Sequence, residues 1–217
     1  MLNVNQTIQA INNALSPFFI KDVGGDFFLS SYKSNNVFRL RVSNNCSSAF
    51  DSYGNEGEHV KVVKWFSDYW LFIEIRFSNP TAILLTLSIF QGNESDDDKQ
   101  QLFRAEWDDY GDANLDHPQP HWHFLTNKAI EKTVVNFAEF MDDEEINDTF
   151  KDLLSEEKSK SIDLSGFHFA MNGDWTNTSV YQHRVKDETV LAKWLGGLMG
   201  YLKNELSYID RKRKQHY

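Results

Sequence analysis

Leu71-Phe72-Ile73-Glu74-Ile75-Arg76-Phe77 runs through Asn79-Pro80 into Ala82-Ile83-Leu84-Leu85-Thr86-Leu87-Ser88-Ile89-Phe90, and this stretch decides the fold. In a strand, successive side chains point to opposite faces. Leu71, Ile73, Ile75 and Phe77 then share one face, with Glu74 and Arg76 on the other, a period of two instead of the helical 3.6. Asn79-Pro80 is turn chemistry, so the two halves read as a hairpin. Ala82–Phe90 is apolar on both faces, which puts it centrally in a sheet, under a helix.

Outward from this hairpin the period stays at two from about residue 27 to 125. Phe27–Tyr32, Val37–Val42, Val60–Phe66, Leu102–Trp107 and Pro120–Leu125 are expected as strands. Polar loops are expected at Asn44–Ser48, at Asp51–Asn55 and at Gln91–Gln101. The helical period appears at both ends. Val4, Ile8, Ile11 and Leu15 form one stripe, capped by Asn3 with Gln6 and ended by Pro17. Ile130, Val134, Phe137 and Met141 fit a second helix; Ile146, Phe150, Leu153 and Leu154 fit a third. A late strand is expected at Phe167–Met171. The strongest helix runs from about Asp187 to Ile209 on Val190, Leu191, Trp194, Leu195, Leu198, Leu202, Leu206 and Ile209. Strands followed by helices, without βαβ order, imply an α+β class. The expectation is an antiparallel sheet of about six to eight strands in one domain over residues 1–217, with an N-terminal helix, two middle helices and a long C-terminal helix packed on it.

The composition narrows the function. The chain has 217 residues, 41% hydrophobic and 14% aromatic, which supports a packed core and argues against disorder. Twenty-two Lys and Arg against 32 Asp and Glu give a net charge of −10, which argues against coating duplex nucleic acid by charge alone. The charge is segregated. Asp96–Asp98 and the segment Asp142–Glu157 are acidic, whereas Arg211-Lys212-Arg213-Lys214 is basic. Cys46 is the single cysteine, so neither an intrachain disulfide nor a thiolate metal cluster can form, and a cytoplasmic location is expected. The N-terminus lacks the pattern of a signal peptide, and no apolar run is long enough to span a bilayer. Gly-rich phosphate loops, serine elbows and helical metalloprotease motifs are missing.

Three of the seven histidines fall in His117-Pro118-Gln119-Pro120-His121-Trp122-His123. On a strand, His121 and His123 project to one side and Trp122 to the other. On the preceding strand Phe103, Ala105 and Trp107 form the apolar face, with Arg104, Glu106 and Asp108 opposite. Pairing the two strands would bring Arg104, Glu106, Asp108, His121 and His123 together, and His168 repeats the pattern on the late strand. Two chemistries suit this set. A divalent metal could be held by His121, His123 and Glu106, since imidazole and carboxylate suit Zn²⁺, Mn²⁺ or Fe²⁺. Without metal, the two imidazoles would act as acid and base while Arg104 stabilises a phosphate, an arrangement that would suit RNA cleavage. A solvated polar face is the plain alternative to both.

Arg104-Ala105-Glu106-Trp107-Asp108, His117 and His121-Trp122-His123 resemble the Arg-x-Asp…His…His-x-His signature of TumE-like bacterial toxin–antitoxin proteins, with Glu106 in place of the Asp. The resemblance covers about residues 104–123. It implies a toxin–antitoxin or antiphage-defence context and action on nucleic acid; a protein partner such as an antitoxin or defence-complex subunit, and single-stranded nucleic acid as substrate, are expected with it. The expected enzyme is a His-dependent phosphodiesterase or ribonuclease with His121, His123, His117, Arg104 and Glu106 at its site. The rival expectation is a non-catalytic adaptor or accessory subunit, using the acidic segment and the helix notched by Gly196 and Gly200 as interfaces.

Overall fold

The computed structural model describes residues 2–19, 27–53, 56–79, 82–109, 119–124, 185 and 187–215. These residues all fall in one compact unit. They form helix α1 (Val4–Leu15) with a 3-10 turn (Ser16–Phe18), strands β1 (Phe27–Tyr32), β2 (Ser34–Val42), β3 (Cys46–Tyr53), β4 (Glu56–Phe66), β5 (Tyr69–Asn79), β6 (Ala82–Gln91), β7 (Gln100–Asp108) and β8 (His121–Phe124), and helix α2 (Glu188–Gln215). The architecture is α+β, with two α-helices among the described residues where four were expected. The two middle helices and the Phe167–Met171 strand were expected in stretches outside the described residues, and the single domain of 1–217 includes those stretches.

The eight strands make one sheet, ordered β1-β2-β5-β6-β7-β8, in which β4 also pairs with β5 and β3 with β4. The hairpin expected at Asn79-Pro80 is β5–β6, in register from Tyr69↔Gln91 to Asn79↔Ala82. Since β6 occupies one edge of β5 along its length, β2 and β4 must share the other. β4 takes Tyr69–Leu71, and β2 takes Glu74–Arg76. The sheet therefore forks at β5.

Each face of the sheet is covered differently. Ile73, Ile75, Leu85, Leu87, Ile89, Phe103 and Ala105 are fully buried on one face. The helices cover that face. Trp107 meets Trp194 of α2 edge to face at 5.3 Å, Tyr69 donates to Asp210 Oδ1 at 2.8 Å, and the Leu29 N–H donates to Asn12 Oδ1 of α1. In α1 the Asn3 side chain accepts the Gln6 N–H, which satisfies one of the free donors of the first turn.

The opposite face is covered by β3 and β4. β3 was expected as loop, because Cys46-Ser47-Ser48 and Asp51-Ser52-Tyr53 are polar and lack apolar alternation. It pairs with β4 over eight residues, from Cys46↔Val63 to Tyr53↔Glu56. Its free edge reaches the start of β7, where Ala49 bridges Lys99 and the Lys99 N–H donates to Ser48 O at 3.1 Å. Strands β3 to β7 thus curl back on themselves around Ala49, Val60, Val62, Trp70, Phe72 and Phe90. This explains the apolar character of β6. It lies under helices on one face and under a β-hairpin on the other.

Gly196 and Gly200 let α1 approach α2 within the chain. A Cβ at Gly196 would stand 3.6 Å from Ala14 Cβ, and one at Gly200 would stand 3.6 Å from Phe18 Cζ. Both are ordinary contact distances, so a methyl fits and a longer side chain does not. Gly196→Ala and Gly200→Ala should each raise the unfolding free energy by about 0.5–1 kcal/mol through helix propensity, whereas Gly196→Leu should lower it. Urea unfolding followed by circular dichroism checks this, and a loss of stability in Gly196→Ala would contradict the packing.

Candidate metal centre

Register brings the site together. β8 pairs with β7 so that His123 lies opposite Arg104 and His121 opposite Glu106. The Gln119 side chain sets the approach to β8, its Oε1 accepting the Asp108 N–H at 2.7 Å. Cross-strand partners share a face, so Arg104, Glu106, His121 and His123 stand together as the sequence implied, and their face is the one the hairpin covers. Trp122 stacks edge to face on Phe103 at 5.9 Å on the other. Asp108 shares the strand, and its backbone holds Gln119. His117 and His168 lie outside the described residues.

Three donor atoms converge on one point. His121 Nε2 and His123 Nε2 are 2.7 Å apart, and Glu106 Oε2 is 3.3 Å from His123 Nε2 and 3.5 Å from His121 Nε2. All three offer ligand atoms within 4.8 Å of one another. A triangle with these sides has its corners about 1.9 Å from its centre, so a point at the Zn–N and Zn–O length of about 2.0–2.1 Å from all three sits just above its plane. Glu106 and His121 are largely buried (14% and 11% side-chain exposure), while His123 is 40% exposed. Two imidazoles and one carboxylate form a donor set for Zn²⁺, Mn²⁺ or Fe²⁺ with open coordination sites.

Behind the donors lies a network the sequence did not reveal. Arg104 is 7% exposed. Its Nη1 donates to Asp51 Oδ2 at 2.7 Å, its Nε donates to Glu106 Oε1 at 2.6 Å, and Nη2 also pairs with Glu106. Asp51, on β3, is 2% exposed and accepts from Ser88 at 2.6 Å and Gln101 at 2.7 Å through Oδ1. One oxygen of Glu106 is therefore committed to Arg104, leaving Oε2 to face the imidazoles. Outer partners of this kind orient a metal's ligands. Asp51 had no sequence signal, because β3 itself did not read as a strand, and without Asp51 nothing singled out Ser88 or Gln101.

The electrostatics follow from this geometry. Burial alone would push the Glu106 carboxyl up, but hydrogen bonds with His121 and His123 and the charge of Arg104 outweigh it and hold the group well below the usual carboxylate range. Burial pushes the Asp51 carboxyl up, against the opposing pull of Arg104 and Ser88. Glu106 also borders a cavity of about 130 Å³ lined by Asp51, Glu58, Glu74, Arg76 and Arg104.

Two outcomes are expected from the network. Arg104→Met leaves two buried carboxylates without their cation and should cost about 3–5 kcal/mol in urea unfolding. Glu106 has a depressed carboxyl pKa in the folded state, so its stabilising contribution is complete above the unfolded value and is lost as pH falls through the folded one. The stability deficit of Glu106→Gln should therefore shrink below about pH 4, the ordinary Glu range. A deficit unchanged from neutral to strongly acid pH would contradict the assignment. Compared with known proteins, the chain matches no family model, no curated protein and no solved structure.

Proposed function

We propose that Glu106, His121 and His123 hold one divalent cation and that the chain is a metal-dependent phosphodiesterase acting on single-stranded nucleic acid. The observation that carries the reading is the convergence of Nε2, Nε2 and Oε2 on one point. Three electron-pair donors facing one another need a proton or a cation between them. The same geometry weighs against a metal-free acid–base pair. In-line displacement at phosphorus puts base and acid on opposite sides of the phosphate, whereas nitrogens 2.7 Å apart share a single proton.

The cation would supply a Lewis acid and a bound water of lowered pKa. The chain supplies the rest. His121 and His123 are ligands, Glu106 is the third ligand, and Arg104 with Asp51 positions Glu106. Arg104 is too enclosed for the phosphate-clamp role expected of it. Arg76, 44% exposed and lining the cavity beside Glu106, is the more accessible cation on that face. The toxin–antitoxin or antiphage setting, the antitoxin or defence-complex partner and the cytoplasmic location belong to this reading and rest on the short resemblance over residues 104–123. Among the described residues no helix is long and apolar enough to cross a membrane.

Isothermal titration with Zn²⁺ and Mn²⁺ tests the centre, and hydrolysis of bis(p-nitrophenyl) phosphate and labelled single-stranded RNA tests the chemistry. The wild-type chain should take up one equivalent and cleave at least one of the two substrates in a reaction that chelator stops. Folded His121→Ala/His123→Ala should lose both properties. Metal uptake unchanged in the double variant would overturn the centre. A loaded protein inert on both substrates would overturn the phosphodiesterase.

A further inference from the structure

The fork at β5 leaves a cleft of about 510 Å³ between β2 and β4. On the side of β2 away from β1, pairing with β5 stops at Arg39, so among the described residues no strand lies beside Leu40–Val42. On the side of β4 away from β3, pairing with β5 begins at Val63, so among the described residues none lies beside residues 57–62 either. Two backbone edges thus face one cleft. An unpaired edge carries a row of N–H and C=O groups that another extended chain can satisfy.

The side chains on the cleft select the occupant. Val60 and Val63 are among its lining residues, and no acidic residue among the described residues lines it, although the chain carries a net charge of −10. Arg41 and Lys61, one on each wall, are exposed and make no ion pair among the described residues. Arg39, deeper in the cleft, is already bound by Glu58 and Glu74. Phe28 and Phe50, two of the three large apolar side chains exposed among the described residues, stand cross-strand from Arg41 and from His59 of the cleft wall. A second copy of these edges would set cation against cation, which disfavours self-pairing.

We infer that this cleft binds an extended acidic peptide segment of a partner protein, added as a β-strand against β2 or β4. The backbone of the peptide pairs with the free edge, and its carboxylates meet Arg41 where it lies along β2 or Lys61 where it lies along β4. The inference is independent of the metal centre, which lies beyond β5 and β6 on β7 and β8.

The probe is a blocked, fluorescent Glu-Val-Glu-Val-Glu-Val peptide, compared with its Lys-for-Glu version and with a version N-methylated at alternate amides. Fluorescence anisotropy measures binding to the full chain without added metal. The acidic peptide should bind, and amide resonances of residues 40–42 and 57–62 should shift. The lysine and N-methylated versions should each bind at least about tenfold more weakly, as should the acidic peptide with folded Arg41→Glu/Lys61→Glu, two exposed pairs of up to about 1 kcal/mol each. Equal binding of the N-methylated peptide to wild type would overturn strand addition, an arm that does not depend on any variant folding. Failure of the acidic peptide to bind, or sedimentation as a dimer whose contact covers residues 40–42 and 57–62, would overturn the proposal as well.

Discussion

The guanidinium of Arg104 is the interaction on which the rest depends. It is buried, and a buried cation persists only when paired and hydrogen-bonded. Its partners come from two directions, Asp51 on the covering hairpin and Glu106 two residues along its own strand. A second clamp runs alongside, with Arg39 of β2 held by Glu58 of the hairpin and Glu74 of β5. Asp51 and Glu58 are direct cross-strand partners. Two carboxylates in that position repel, so the hairpin is stable over the sheet only because each acid meets its own arginine. The same ion pairs that seat the hairpin therefore fix the carboxylate of the candidate metal centre.

A sheet face of this kind sacrifices stability for placement. Apolar side chains of similar volume would pack at least as well as buried ion pairs, and replacing such pairs is often neutral or stabilising. The helix-covered face shows that alternative, with Ile, Leu, Ala, Phe and Trp across its centre. The polar face departs from it only where charged groups lead toward His121 and His123. The apolar cluster under the hairpin, from Ala49 to Phe90, keeps one end of that face dry, while the His123 end stays open to solvent.

Much of this was legible in the sequence. Strict alternation in Leu71–Phe77 and the doubly apolar Ala82–Phe90 located the central hairpin, and alternation in Phe103–Asp108 and His121–Phe124 predicted that Arg104, Glu106, His121 and His123 share one face. The helical stripe from Leu191 to Leu206 is buried as its period implied, and of the N-terminal stripe Ile11 and Leu15 are buried while Val4 and Ile8 are half-buried. What escaped was β3. A strand whose partners are an acid-bearing hairpin mate and a buried arginine network does not need apolar alternation, so Ser47, Ser48, Asp51 and Ser52 read as loop. With β3 unseen, Asp51 could not be placed against Arg104, and that arginine looked available to substrate. The fork at β5 was hidden for a related reason. Local periodicity gives the strands and their faces, but not which two strands divide the edge of a third.

The most direct test of the account is anomalous diffraction from crystals soaked in Zn²⁺ or Mn²⁺. One anomalous peak is expected about 2.0–2.2 Å from Glu106 Oε2, His121 Nε2 and His123 Nε2, with Arg104 still bound to Glu106 Oε1. A peak elsewhere, or none beside an intact His121–His123 hydrogen bond, would contradict it.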